Sequence, residues 1–170
     1  MKRILILLAL LVPVLAATGI AVAAGAFDGA KSSTARFHDL DKAIAAGYSV
    51  KVADLAGIEC IAQPGEGAMG VHMLNPALLF DDGVIDAERP ELLVYEPRND
   101  GTLKLVALEY LVLDQDWAGA SKPELFGQEF DTILPGNRYG LPLAYALHAW
   151  IWKPNPSGIL EPYNPRVDCG

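Results

Sequence analysis

Thiols, imidazoles and positive charge are all scarce in this 170-residue sequence, which carries two cysteines, three histidines and 13 basic residues against 21 acidic ones. Cys60 and Cys169 lack the close Cys-x-x-Cys spacing of a zinc ribbon, and the shortage of thiolate ligands also argues against a blue-copper centre. There is no HExxH and no close His-x-His pair. No GxSxG elbow is present, and Ser121 and Ser157 sit in turn sequences without a nearby histidine, so a serine nucleophile has no support. Gly65-Glu66-Gly67 lacks the third glycine and the following amphipathic helix of a dinucleotide fingerprint. Asp81-Asp82-Gly83 lacks the spaced acidic ligands of an EF-hand loop. The net charge of −8, more acidic still without Lys2 and Arg3, disfavours nucleic acid and anionic membrane as partners. Internal repeats are absent, and no low-complexity segment follows residue 33.

The first residues read as an export signal. Lys2 and Arg3 form a basic start, residues 4–26 carry no charge, and Ala21-Val22-Ala23 and Ala24-Gly25-Ala26 are small-residue cleavage patterns. The alternative is an uncleaved anchor, since the apolar run approaches the ~20 residues that span a bilayer. Pro13 and the alanine-rich end favour cleavage, and no cysteine near the signal end permits a lipid anchor. Residues 1–26 are therefore expected to be signal and 27–170 one secreted or periplasmic globular domain, with no membrane contact after cleavage. In an oxidising compartment an even cysteine count favours a Cys60–Cys169 disulfide.

Along the chain, Ser32-Ser33-Thr34 offers a cap to one amphipathic helix through ARFHDLDKAIAAG, with Phe37, Leu40, Ile44 and Tyr48 on its apolar face and Gly47 just past its end. Val50-Lys51-Val52 and residues 58–62 read as strand pieces, and residues 69–74 alternate, with Met69, Val71 and Met73 on one face and Gly70, His72 and Leu74 on the other. Asn75-Pro76 caps a short helical turn. Residues 91–96 and LKLVALEYLVL (103–113) form a hairpin around Asn99-Asp100-Gly101. A two-residue turn there places Leu92 opposite Glu109 and Glu96 on the same face. A three-residue turn with Gly101 left-handed places Glu91 opposite Glu109 and brings in Tyr95. Residues 117–137 form a long irregular segment of the kind that serves as a covering lid. Residues 141–152 read as a last strand with Ala144, Ala146, His148, Trp150 and Trp152 on one parity. Helix first, then strand pairs without a βαβ alternation, predicts an α+β fold: an N-terminal helix on a mainly antiparallel, curled sheet or small barrel.

Three ionisable side chains lie inside apolar strands: His72 in AMGVHML, Glu109 in LVALEYLV and His148 in YALHAWIW. If these strands share an inward face, two imidazoles and a carboxylate converge. That donor set suits a divalent transition metal (zinc, iron, manganese or copper), with positions left open for water or substrate and possible catalysis. Glu91 or Glu96 is a candidate fourth ligand or orienting group, and His38 is an outlying candidate should its helix cover the open end. The plainer alternative has each histidine donating to a backbone carbonyl and Glu109 paired with Arg138 or Lys153. A second functional alternative is a metal-free small-molecule pocket. There a Glu of raised pKa does acid–base work of the isomerase, cyclase or dehydratase kind beside donors from Tyr95, Tyr110 or Tyr145, over a wall that includes Trp150 and Trp152. A third is a binding module without chemistry.

The segments FHDLDKAIAAGY, AMGVHMLNPALL, RPELLVYEP, LVALEYLVL, LFGQEF and LHAWIWKPNPSG, with the terminal Asn-Pro-x-x-x-Cys, resemble those of a group of small exported, mostly bacterial proteins. The resemblance covers most of the chain after the signal and implies a single secreted domain. No activity attaches to that group, so none is transferred. Met73 departs from it where an aromatic is expected.

Overall fold

Local sequence breaks the helix expected over residues 35–47 in two, and a separate short helix precedes it. The computed structural model describes residues 25–81 and 83–170, so the signal-like segment before Gly25 lies outside the described residues. Helix α1 spans Asp28–Thr34, a 3-10 turn follows at Ala35–His38, and helix α2 spans Leu40–Ala45. The break falls at Asp39, which is extended (φ −91°, ψ 110°) and caps α2 by accepting from the Asp41 amide. Asp favours this capping geometry over helix interior, and it outcompetes the Ser32–Thr34 cap expected from sequence. Thr34 instead donates its hydroxyl to the Ala30 carbonyl inside α1. The end of α2 matches expectation: Gly47 takes φ +102° while the Gly47 and Tyr48 amides bond the Ile44 and Ala43 carbonyls. The rotation at Asp39 leaves Ile44 exposed, whereas Phe37 and Tyr48 are buried.

The remaining elements build one curled antiparallel sheet and a small hairpin. In chain order they are β1 (Val50–Lys51), β2 (Cys60–Gln63), β3 (Gly67–Leu74), α3 (Pro76–Leu79), β4 (Leu92–Pro97), β5 (Leu103–Leu113), β6 (Glu124–Leu125), β7 (Gln128–Glu129), β8 (Asp131–Ile133) and β9 (Ala144–Ala149). The main sheet runs β1-β3-β4-β5-β9-β8, with β2 also on the outer edge of β3, and all its pairings are antiparallel. The architecture is α+β. One face of the sheet carries the helices and the larger core, which includes Phe37, Tyr48, Leu93, Tyr95, Leu108 and Tyr110. The opposite, concave face carries His72, Glu109 and His148 between two smaller apolar clusters, one around Val94, Ala107 and Trp150, the other around Leu92, Leu111 and Ala146.

Two bulges decide which side chains face inward. The hairpin between β4 and β5 uses the three-residue turn, with Gly101 at φ +82° and the Arg98 amide on the Thr102 carbonyl. Carried through unbroken, that turn would set Glu91 opposite Glu109. The register instead shifts between Val94↔Ala107 and Tyr95↔Leu105, leaving Val106 as an extra residue and restoring Leu92↔Glu109. Turn and register thus come from different sequence alternatives, reconciled by a bulge. It also ends the simple alternation expected along β5: Leu105 and Leu108 join the helix-side core, whereas Val106 and Ala107 join the other side. A second shift, between Ile61↔Gly70 and Ala62↔Ala68, leaves Met69 unpaired on β3 and sends it to the His148 side rather than away from it.

The long segment between β5 and β9 does not act as a lid. Its Phe126 lies 4.4 Å from the Phe27 ring and 5.7 Å from that of Tyr110, and Phe130 is buried in the same helix-side core. Only its last part, from Asp131 through Asn137, reaches the concave face. Cys60 and Cys169 form a disulfide that ties the C-terminal tail to β2. The tail also pairs with β3 through Asn164 and Ala68, where Gly67 lets the backbones approach: a Cβ there would stand 2.2 Å from the Asn164 carbonyl oxygen.

Candidate metal centre

His72 and His148 stand three strands apart, on β3 and β9, with β4 and β5 between them. In a flat sheet that separation is roughly 14 Å. The curl brings their Nε2 atoms to 3.2 Å. Glu109, directly opposite His148 in register, places Oε2 3.3 Å from His72 Nε2 and Oε1 3.9 Å from His148 Nδ1. All three side chains are buried, with relative exposures of 4%, 7% and 3% for His72, Glu109 and His148. Each offers a ligand atom within 4.8 Å of the others. Zinc–nitrogen and zinc–carboxylate bonds of about 2.0–2.1 Å in tetrahedral geometry separate neighbouring ligand atoms by about 3.3 Å. The 3.2 and 3.3 Å separations at His72 Nε2 match two such edges.

Burial sets the charge state of the metal-free cluster. Desolvation lowers the His72 pKa to about 4, against a hydrogen bond to the Gly70 carbonyl that raises it. His148 is lowered well below the usual imidazole range by burial and by His72. Glu109 is pushed up to about 8 by burial and by the nearby Glu91 carboxylate. Without a cation, burial thus disfavours charge on all three groups. His72 Nε2 faces His148 and Glu109, and the Gly70 carbonyl is the backbone group that acts on the His72 ring.

The plainer pairing for Glu109 is not realised. Arg138 is held by Asp54 and Lys153 by Glu96. Among the described residues, Glu109 has neither a Lys nor an Arg partner, and its oxygens lie against the two histidines. Glu96, bound to Lys153, is not brought to the cluster. Glu91 is buried close by, but its Oε2 accepts from the Leu111 amide at 2.9 Å. His38 lies against Trp152, ring centroids 4.6 Å apart, with the helix-side core. Trp152 thus leaves the parity expected of it, because β9 ends at Ala149 and the chain turns. Trp150 keeps that parity, stacking toward the His148 ring and donating Nε1 to the Glu161 carbonyl. The tyrosines proposed as donors are engaged elsewhere: Tyr95 on the Phe37 carbonyl, Tyr110 on the Ala87 carbonyl and Tyr145 on Asp114.

Two cavities meet at Glu109. One, of about 130 Å³, joins His72 and Glu109 to an apolar wall from Leu74, Leu79, Leu92, Leu111 and Leu141. The other, a cleft of about 400 Å³, reaches Glu109 and His148 past Met69, Asn137, Arg138 and Tyr163. Tyr139 and Ile133 line both and so divide them. Burial raises the Tyr139 hydroxyl pKa, and its oxygen lies 4.0 Å from Met69 Sδ. Tyr139 and Gly70 are the residues that sequence reasoning missed. The signal for Tyr139 was its place in a polar loop between apolar segments; for Gly70 it was a glycine in a strand two residues before a buried histidine.

No family model, curated protein or solved structure matches the chain.

Proposed function

We propose that His72, Glu109 and His148 bind a divalent transition metal in an exported domain. The observation that carries this reading is the triangle at His72 Nε2, whose 3.2 and 3.3 Å sides suit ligands of one small cation. A cation also answers the electrostatic problem of a buried carboxylate with no Lys or Arg partner. Two imidazoles and a carboxylate suit zinc, iron, manganese or copper, and three protein ligands leave coordination positions open toward the cavities. The disulfide supports export, since such bonds persist in oxidising compartments, as does the signal-like start of the sequence. Among the described residues, no helix is long and apolar enough to cross a membrane.

The test is metal content of protein exported to a periplasm and purified without chelator, beside His72→Ala and His148→Ala. Near-stoichiometric metal that both variants lose while keeping their fold is the expected result. No metal as isolated, and none taken up on reconstitution, would overturn it. That outcome favours the second reading, a metal-free acid–base pocket, which draws on a specific observation: the buried Glu109 carboxyl, which burial pushes up to about 8, walls an apolar cavity.

A further inference from the structure

The two cavities differ in a way that specifies a ligand. The smaller one is almost wholly hydrocarbon apart from His72, Glu109 and Tyr139, and no Lys or Arg lines it. Its volume of about 130 Å³ is that of a single-ring solute: an apolar cavity of about 150 Å³ takes up benzene. Its polar end is the metal centre. A divalent ion held by two neutral imidazoles and one carboxylate leaves a net charge of about +1 in a desolvated site, which favours an anionic oxygen in an open position. Two exposed leucines adjoin residues of its lining. Leu55, 78% exposed, lies against Gly140, and Leu134, 66% exposed, directly follows Ile133. Their neighbours Tyr139, Leu141 and Ile133 line the cavity.

We propose that the centre takes a small hydrophobic monocarboxylate, its carboxylate on the ion and a hydrocarbon body of about one six-membered ring in the cavity beside α3. This rests on the metal reading above, and it adds the substrate class. The larger cleft serves as the solvent-side approach to the same ion, since His148 and Glu109 line it too. No bond need be made or broken for the recognition itself.

Calorimetry on zinc-loaded protein, with zinc content measured on every sample, tests it with benzoate, acetate and benzyl alcohol. Benzoate should bind at least about tenfold tighter than acetate, because only benzoate buries a ring. It should also exceed benzyl alcohol, which keeps the ring but loses the charge. Metal-stripped protein should lose the preference for benzoate over benzyl alcohol. Leu141→Trp, at a half-buried position of the lining, should abolish benzoate binding with zinc retained; Ile133→Phe is the second filling variant should the first fail to fold. Zinc bound at full stoichiometry but with acetate equal to benzoate, or with benzoate binding that survives both filling variants, would overturn the proposal and leave the metal reading standing. Failure to hold zinc would overturn both, and the zinc analysis tells these outcomes apart.

Discussion

Asp54 and Arg138, 84 residues apart in sequence, clasp the two edges of the sheet over its concave face. Arg138 Nε and Nη2 donate to Asp54 Oδ2 at 3.1 and 2.6 Å, while Oδ1 accepts the Ala56 and Ile58 amides. The Leu55 amide then donates to the Arg138 carbonyl. Asp54 follows edge strand β1 and Arg138 follows edge strand β8, so the pair converts a curled sheet into a nearly closed one. Tyr139, the wall between the cavities, is the next residue.

The clasp predicts a local rather than global loss in Asp54→Ala. The variant should fold with a melting temperature lower by a few degrees, exchange the Leu55 amide faster and admit solvent to Tyr139. Amide exchange measures the first effect and tyrosine fluorescence quenching the second. The Arg138 guanidinium and the two backbone amides hold the Asp54 carboxyl below its usual range. Wild-type protein should therefore show the same opening as the pH falls through that lowered pKa. Unchanged Leu55 exchange in the variant would deny the clasp its role.

The stability of metal-free protein should have a maximum on the acid side of neutrality. Glu91 and Glu109 titrate near 8 when folded and near 4.5 when unfolded, so between those values the folded state holds more protons and stability falls as pH rises. His72, near 4, and His148, lower still, work oppositely: below 6.5 the unfolded state binds more protons, and stability rises with pH. The two trends offset each other between 4.5 and 6.5. From 6.5 to 8 only the carboxyls act, at up to roughly 1.4 kcal/mol per pH unit for each group. Urea midpoints of stripped protein at pH 6.5 and 8.5 check this. Glu109→Gln should lose part of the decline and be the more stable protein at pH 8.5, though it binds metal worse. A variant less stable than wild type at pH 8.5 would contradict a buried, strained carboxylate.

What the sequence made legible was polarity in the wrong place. An ionisable residue amid apolar neighbours marked His72, Glu109 and His148 individually, and alternation placed His148 with Trp150. Their convergence depended on curl and on the Val106 bulge, and neither has a sequence signature at that position. The Asp39 break was visible in principle, since Asp is a stronger cap than Thr, but helical spacing across ARFHDLDKAIAAG masked it. The segment through residues 117–137 looked like a lid because its prolines and glycines mark irregularity. Which face it covers was decided by Phe126 and Phe130, whose partners are remote in sequence.

Gly70 should prove essential to the centre. Its φ of +108° suits glycine, and a Cβ there would stand 2.6 Å from the Tyr95 carbonyl oxygen. Gly70→Ala should therefore lose about 1–3 kcal/mol of stability from backbone strain. It should also move the Gly70 carbonyl that acts on the His72 ring, with a 10–100-fold weaker metal affinity as the rough expectation for a supporting partner. Competition with a chelating dye gives the affinity and thermal unfolding the stability. Lost stability with unaltered affinity would mean that the carbonyl does not orient the ring.

The disulfide should stabilise the fold without belonging to the centre. It closes a loop across 109 residues of sequence, which the loop-entropy argument values at up to about 4–5 kcal/mol. Cys60 lies on β2, outside the three strands that carry His72, Glu109 and His148, and Cys169 packs with the Val94–Trp150 cluster. The double variant Cys60→Ser/Cys169→Ser should therefore melt well below wild type and become sensitive to protease in its tail, yet still bind metal one to one below its melting point. Metal exchange should quicken, because Pro162 and Tyr163 of the loosened tail wall the cleft beside His148. Loss of stoichiometric metal from a still-folded double variant would instead make the tail part of the site's construction, with the disulfide holding it there.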